Sequence, residues 1–238
     1  MDKNSNAYTF IFAIIMVTVI AGVLAFTATS LKPLQDKNVK AEKMQNILGT
    51  IGVTGVSRDD AEVEYNKYIK QVLALKADGT VDTKVNAFTL NLKKEIKKST
   101  TEQRFPLYIA EKDGKTFYVV PLYGAGLWDA IWGYIALDGD KNTIKGANFG
   151  HKGETPGLGA EITTDWFQAQ FAGKTLLNVA SAGFTTDNFV SVKTVKGGAK
   201  TGDAHGVDAI SGGTITSDGV SNMIQERLAR YLPYFKNN

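Results

Sequence analysis

The stretch "HGVDAISGGTITSDGVSN", His205 to Asn222, crowds Ser211, Thr214, Thr216, Ser217 and Ser221 around the glycine pair Gly212-Gly213, just before a helix-like run. A helix start needs one hydroxyl as a cap. The surplus raises a chemical possibility. If the helix begins at Thr216 or Ser217, its unpaired N–H groups and the positive end of its dipole face Ser211 to Thr214, a location suited to a phosphate. Lys196, in "VKGGA", can add a point charge. A plain two-glycine turn with a Ser or Thr cap fits the same residues, and spacing alone does not choose between the two.

Two further segments have the composition of a binding site. In "GAGLWDAIWGYIALDGD", Gly124 to Asp140, a glycine-flanked Leu127-Trp128 pair leads into a strand. In "HKGETPGLGAEI", His151 to Ile162, Pro156-Gly157 signals a turn, and Gly153 and Gly159 let backbone amides come close to a flat ligand. Each alone also reads as a structural turn.

Other chemistries are disfavoured. "GGAKT" lacks the spacing of a phosphate-cradling P-loop, and "GLGAEI" fails the dinucleotide fingerprint after two glycines. His151 and His205 have no second ligand at i+3 or i+4, so no metal site is expected. The absence of cysteine excludes disulfides, thiolate-bound zinc and cysteine-held iron–sulfur clusters. With 27 basic and 24 acidic residues and no interleaving of aromatics with basic clusters, nucleic acid is set aside.

The elements that must position these loops come mainly after Phe105. "LYIAEKDGKTFYVVPLYG" reads as a hairpin across Asp113-Gly114, and "WGYIALDGDKNTIKGANFG" as a second, turning at Asp138 to Asn142. "TTDWFQAQFAGK" predicts a helix from Thr164 or Asp165 to Gly173, "NFVSVKTV" a strand, and Asp218 to Leu232 a helix with Val220, Met223, Ile224, Leu228, Tyr231 and Leu232 at helical spacing. Hairpins with a few helices, without βαβ alternation, predict an α+β domain over residues 105–238. Upstream, residues 32–104 read as a stalk and a helical accessory segment. There, Ser57 and Asp60 cap a helix that places Ala61, Tyr65, Ile69 and Val72 on one face.

After a short tail of residues 1–7, Tyr8 to Leu31 runs 24 residues without a charge. As a helix this is about 36 Å, enough to cross a hydrocarbon core of about 30 Å. A cleaved signal peptide is the rival reading, disfavoured because Lys3 is the sole basic residue before the span. Lys32, Lys37, Lys40 and Lys43 follow it, so the charge rule taken alone puts the soluble part in the cytoplasm.

Together, "GLWDAIWGYIAL", "GETPGLGAEI", "VKGGA" and "HGVDAISGGTITSDGV" resemble the C subunits of Na+-translocating NADH:quinone reductases, within the FMN-binding domain family. The resemblance covers the N-terminal span and roughly residues 105–232. The related flavin subunit of Rnf-type ferredoxin:NAD+ oxidoreductases is the nearer alternative, and a flavin-free tethered binding domain the more distant one. In the family a threonine in D-x-x-S-G-A-T is joined to FMN by a phosphoester. Laid on this chain, Asp208 to Thr214 match, with Gly213 in place of the alanine, which implies covalent FMN on Thr214. The resemblance further implies phosphate contacts from Ser211, Gly212, Gly213, Thr216 and Lys196. Ring contacts would come from Glu154, Thr155, Pro156, Gly157, Leu158 and Gly159, with Trp128 covering or flanking the ring. It implies a single-electron carrier with no catalytic residue of its own. Its partners would be the other membrane subunits and a separate flavin transferase using FAD and Mg2+, and it would be anchored in the inner membrane with its domain on the periplasmic side.

Overall fold

The computed structural model describes Lys3 and residues 5–238. The chain divides into two units, one up to Lys43 and one spanning Met44–Asn238. The first lies in helix α1, Asn6–Thr50, which is long and apolar enough to cross a membrane and whose residues from Met44 on belong to the second. Its side chains from Phe10 to Phe26 lie exposed on the isolated chain, as lipid-facing groups do. The helix passes the expected end of the span at Leu31 and runs unbroken to Thr50, so most of the expected stalk is helical.

The second unit is built on a five-stranded antiparallel meander, β1 (Ile69–Leu75), β2 (Phe105–Lys112), β3 (Lys115–Ala125), β4 (Ala130–Leu137) and β5 (Ile144–His151), paired in chain order. Both expected hairpins form. Asp113 and Gly114 take φ of 53° and 74°, the pair of positive values that a two-residue hairpin turn requires. At the other turn the Asp140 carboxylate accepts from the Asn142 and Thr143 amides at 2.9 Å each and from the Thr143 hydroxyl at 2.6 Å.

Residues 57–104 depart from expectation. Helix α2 is Ala61–Tyr68, with Ala61 and Tyr65 buried as the spacing predicts, but the chain turns extended at Ile69. Ile69 and Val72, expected on the helix face, instead belong to β1, which pairs along β2 from Ile69↔Ala110 to Leu75↔Phe105. Ile69 and Val72, β-branched and beside the open edge of β2, gain more from pairing than from another helical turn. Ser57 bonds the Asp60 carboxylate at 2.7 Å, and Asp60 makes no side-chain cap bond to the helix. The sheet thus crosses the expected domain boundary at residue 105, and the short helix α3 (Leu92–Glu95) lies in the same unit.

One sheet face, carrying Phe105, Leu107, Val120, Leu122, Ile131, Ile135 and Phe149, forms the main core with Val220, Met223, Ile224 and Leu228. Those four come from α5, Thr214–Ala229. Phe167, on α4 (Asp165–Ala169, capped by Thr164), and Phe171 close the core against Phe149. On the other side of the sheet the last turn of α1 docks through Asn148, whose amide donates to the Asn46 carbonyl at 2.7 Å.

The expected strand at residues 188–195 shrinks to β6, Lys193–Val195, which pairs in parallel with β7, Gly206–Asp208. Ser191 sits at φ 64° and breaks the extension before it. Helix α5 starts earlier and ends earlier than its apolar spacing predicts. Pro233 at the start of α6 (Leu232–Asn237) cannot extend a helix from behind, so the chain breaks at Arg230-Tyr231.

Candidate functional site

The hydroxyls of the opening stretch have separate fates. Gly213, not Thr216 or Ser217, occupies the N-cap of α5, and no side chain caps the helix. The first backbone bond closed there is Ser217 N–H to the Gly213 carbonyl at 2.9 Å. The N–H groups of Thr214, Ile215 and Thr216 are therefore the orphan donors of the first turn.

Thr214 is the first helical residue and half-buried, and Ser211 is exposed. Ser217 is fully buried and its Oγ accepts from the Ile210 amide at 3.1 Å. Ser221 bonds both the Thr194 amide, at 2.8 Å, and the Thr194 hydroxyl, at 2.9 Å, fastening α5 to β6. Thr216 is buried and donates to Glu154 Oε2 at 2.6 Å. Buried hydroxyls take whatever acceptor is in reach, so Thr216 and Ser217 serve packing inside the helix rather than starting it.

Glu154 is the brace of the site. It is 4% exposed, and its second oxygen accepts from the Trp128 amide at 3.0 Å. One carboxylate thus ties the tip of the β3–β4 hairpin to the first turn of α5. Burial works to raise its pKa, but the Thr216 hydroxyl and the Trp128 and Asp129 amides outweigh it and hold the carboxyl below its usual range. Room for it comes from two glycines, since a Cβ at Gly126 would collide with Oε1 and one at Gly159 with Oε2 and with Thr216 Oγ1. Gly159→Ala is accordingly expected to cost about 2 kcal/mol, read as a lower urea midpoint, with the β4–β5 hairpin unaffected.

The rest of the loop folds on itself. The Thr155 carbonyl accepts from Leu158 and Ala160, both at 3.1 Å, and Gly157 at φ 75° donates to Glu161 Oε1 at 2.8 Å. Pro156 is exposed. Leu158 lies over the glycine pair, with its Cδ2 in the space a Cβ on Gly212 (φ 74°) would take.

Leu158, Ile215, Leu127 and Trp128 remain exposed, Trp128 at 69%. They give the start of α5 an apolar surround. A Cβ on Gly213 would stand 3.0 Å from Ile210 Cγ2 and 3.2 Å from the Leu158 carbonyl carbon, at a φ of −108° that alanine adopts freely. Gly213→Ala should therefore shift stability by no more than about 1 kcal/mol in thermal unfolding, since small movements of Ile210 absorb the contact.

Asp208 and His205, the acidic and imidazole groups upstream of Thr214 in the motif, have structural partners of their own. The Asp208 carboxylate accepts the Ala199 amide at 2.7 Å and holds the glycine turn after β6, and His205 Nδ1 bonds the Thr175 carbonyl at 2.7 Å. Lys196 is exposed at the end of β6, and no hydrogen bond or ion pair links it to Thr214 among the described residues. The brace by the Glu154 side chain was not legible in sequence, where the loop reads as a source of backbone contacts. Its only trace there is the glycine pair Gly126 and Gly159, whose need for space appears when their neighbours are known.

Comparison with known proteins agrees with this layout. The FMN-binding domain family matches residues 126–229, from the hairpin tip to the end of α5. The C subunit of the Na(+)-translocating NADH-quinone reductase of Haemophilus ducreyi is 32% identical, covering 93% of this chain and 89% of its own length. Among solved structures, the C subunit of the same reductase from Parabacteroides distasonis is 41% identical with a TM-score of 0.76, covering 86% of this chain and 96% of that one. NqrC of Shewanella oneidensis superposes at a TM-score of 0.68 with 32% identity, over 83% of this chain and 96% of that one.

Proposed function

Because this chain belongs to the family of Na(+)-translocating NADH-quinone reductase C subunits, we propose that it carries FMN in phosphoester linkage on Thr214 and relays single electrons within such a complex. The observation that supports the residue is the half-buried Thr214 hydroxyl at the head of three orphan N–H groups, walled by the Leu158 loop and the Trp128 hairpin tip. Bound FMN supplies the one-electron redox chemistry at its ring. The chain's own residues hold and shield it.

The Thr214, Ile215 and Thr216 amides donate to the phosphate, and the helix dipole offsets its charge. Ser211, exposed on the turn before them, adds a hydroxyl, and Lys196 contributes a screened charge. Thr216 acts through its backbone, because its hydroxyl is committed to Glu154. Leu158, Ile215 and Trp128 offer apolar surface to the ring, and the Glu154 brace fixes the distance between the Trp128 tip and the helix start.

A threonine hydroxyl needs a base to attack phosphorus, and neither Asp208 nor His205 hydrogen-bonds Thr214 among the described residues. The family resemblance makes Thr214 the substrate of a separate Mg2+-dependent flavin transferase. In that step the Thr214 Oγ1–P bond forms as the pyrophosphate bond of FAD breaks, AMP leaves, and the hydroxyl proton passes to the transferase. α1 anchors the domain in the inner membrane. The family resemblance puts the domain on the periplasmic side, against the flanking lysines, which a long domain can override. Peptide mapping by mass spectrometry on native membranes is the test. The expected result is FMN mass on the peptide containing Thr214, and flavin on any other residue would overturn the assignment.

A further inference from the structure

A cavity of about 480 Å3 opens beside the Trp128 tip, and Ser211 to Thr216 and the Glu154–Gly159 loop are not among its lining residues. Its walls are Lys93 of α3 and Ile96 just after it, Tyr123 and Trp128 from the hairpin, and Glu226 and Arg227 from the last turn of α5. Arg227 is thirteen residues beyond Thr214, about 20 Å along the helix axis at roughly 1.5 Å per residue.

The lining carries two cations, Lys93 and Arg227, and two carboxylates, Asp129 and Glu226, so its affinity for an anion depends on how these are already paired. The Arg227 side chain is only 11% exposed, and its one ion pair among the described residues is Nη2 to Oε2 of its neighbour Glu226 at 2.8 Å, a carboxylate 65% exposed. Its Nε is buried with no hydrogen-bond partner. A guanidinium withdrawn from water with so weak a counter-charge is costly unless an anion completes it. Lys93 is exposed and makes no ion pair among the described residues, though its charge acts on Asp129. Asp129, the other acid at the rim, is already committed to Lys152 and to the Ala130 amide, both at 2.7 Å. The same lining includes the Tyr123 and Trp128 side chains and the side-chain-free backbone of Gly124 and Gly126, which suit a flat ring.

We propose that this cavity is a second site, distinct from that at Thr214, which takes a small planar aromatic anion. Its ring stacks between Tyr123 and Trp128 and its acidic group lies between Arg227 and Lys93. The volume falls within the range of small-molecule sites, about 300–1,000 Å3. The site has Trp128 in common with the flavin reading above, and the two forms in the test below separate them.

The test is calorimetric titration of the full chain in nanodiscs with 2-naphthoate and its neutral isostere 2-naphthalenemethanol, with empty nanodiscs as the blank. It is run on flavinylated protein and on flavin-free Thr214→Ala. The expected result is saturable 1:1 binding of naphthoate to both forms with a Kd of about 1 mM or tighter, and binding of the alcohol about tenfold weaker. Lys93→Gln should weaken naphthoate about threefold and Arg227→Gln about tenfold. Should Arg227→Gln fail to fold, Lys93→Gln and the isostere pair still decide. Equal binding of acid and alcohol would overturn the anion site, and naphthoate binding only to the flavin-free form would show that the cavity belongs to the flavin site.

Discussion

Thr214→Ala, expressed together with the flavin transferase, is expected to run dark under ultraviolet light on a denaturing gel on which the parent chain fluoresces. The size of the effect is all or none, because an alanine offers no oxygen for a phosphoester. The fold should be indifferent. The Thr214 side chain makes no hydrogen bond among the described residues, it stands at the first position of α5, and alanine is the better helix former. Thermal unfolding of the variant should therefore match that of flavin-free parent within about 0.5 kcal/mol. Thr214→Ser keeps the hydroxyl and should keep the fluorescence. Persistent covalent flavin in the alanine variant would sink the assignment, and a dark parent would favour a flavin-free binding domain.

Glu154→Gln is expected to be the most damaging single-atom change in the site. The amide keeps the shape and one acceptor, but its nitrogen cannot accept the Thr216 hydroxyl, and the charge that strengthens both bonds is lost. With the group 4% exposed, water does not compensate. The loss should be about 2–4 kcal/mol at pH 7, read from urea unfolding.

The pH dependence separates a lost charge from lost packing. The folded-state pKa of Glu154 is depressed, with burial opposing and the Thr216, Trp128 and Asp129 bonds prevailing. The native state therefore binds the proton more weakly than the unfolded chain. The stabilisation is present above the ordinary glutamate pKa of about 4.3 and fades as pH falls through the lower folded value. The gap between parent and variant should narrow over that window, and a gap constant with pH would mean that the charge is not what holds the hairpin to α5. Covalent flavin should also drop in this variant, because the Trp128 tip is no longer fixed against the helix start.

Much of the fold can be read from local signals, and where reading fails the failure is non-local. Asp113-Gly114 announces a hairpin because the two positive φ values needed there are costly for most other residue pairs. The Asp140 turn, the Thr164 cap and the buried positions of α5 are likewise set within a few residues of chain. Ile69 to Leu73 misreads as helix because its strand state depends on β2, more than thirty residues away in the chain. The start of α5 misreads because a Ser or Thr near a helix start normally caps it. Here Thr216 and Ser217 are drawn inward by Glu154 and Ile210, and the cap position falls to Gly213.

One apolar span, an α+β domain of hairpins, the exclusion of cysteine chemistry and a hydroxyl-rich turn set before a helix are all written in the order of the residues. They follow from composition, periodicity and turn residues, which act over short stretches of chain. Which hydroxyl stays available is a matter for the folded chain. Five hydroxyls compete in the stretch from Ser211 to Ser221, and hydrogen-bond partners from elsewhere in the fold claim three of them, Thr216 by Glu154, Ser217 by Ile210 and Ser221 by Thr194. Ser211 and Thr214 are left without such a claim, because burial obliges a polar group to find a partner and a more exposed one is under no such obligation, and of the two only Thr214 stands at the head of the orphan N–H groups.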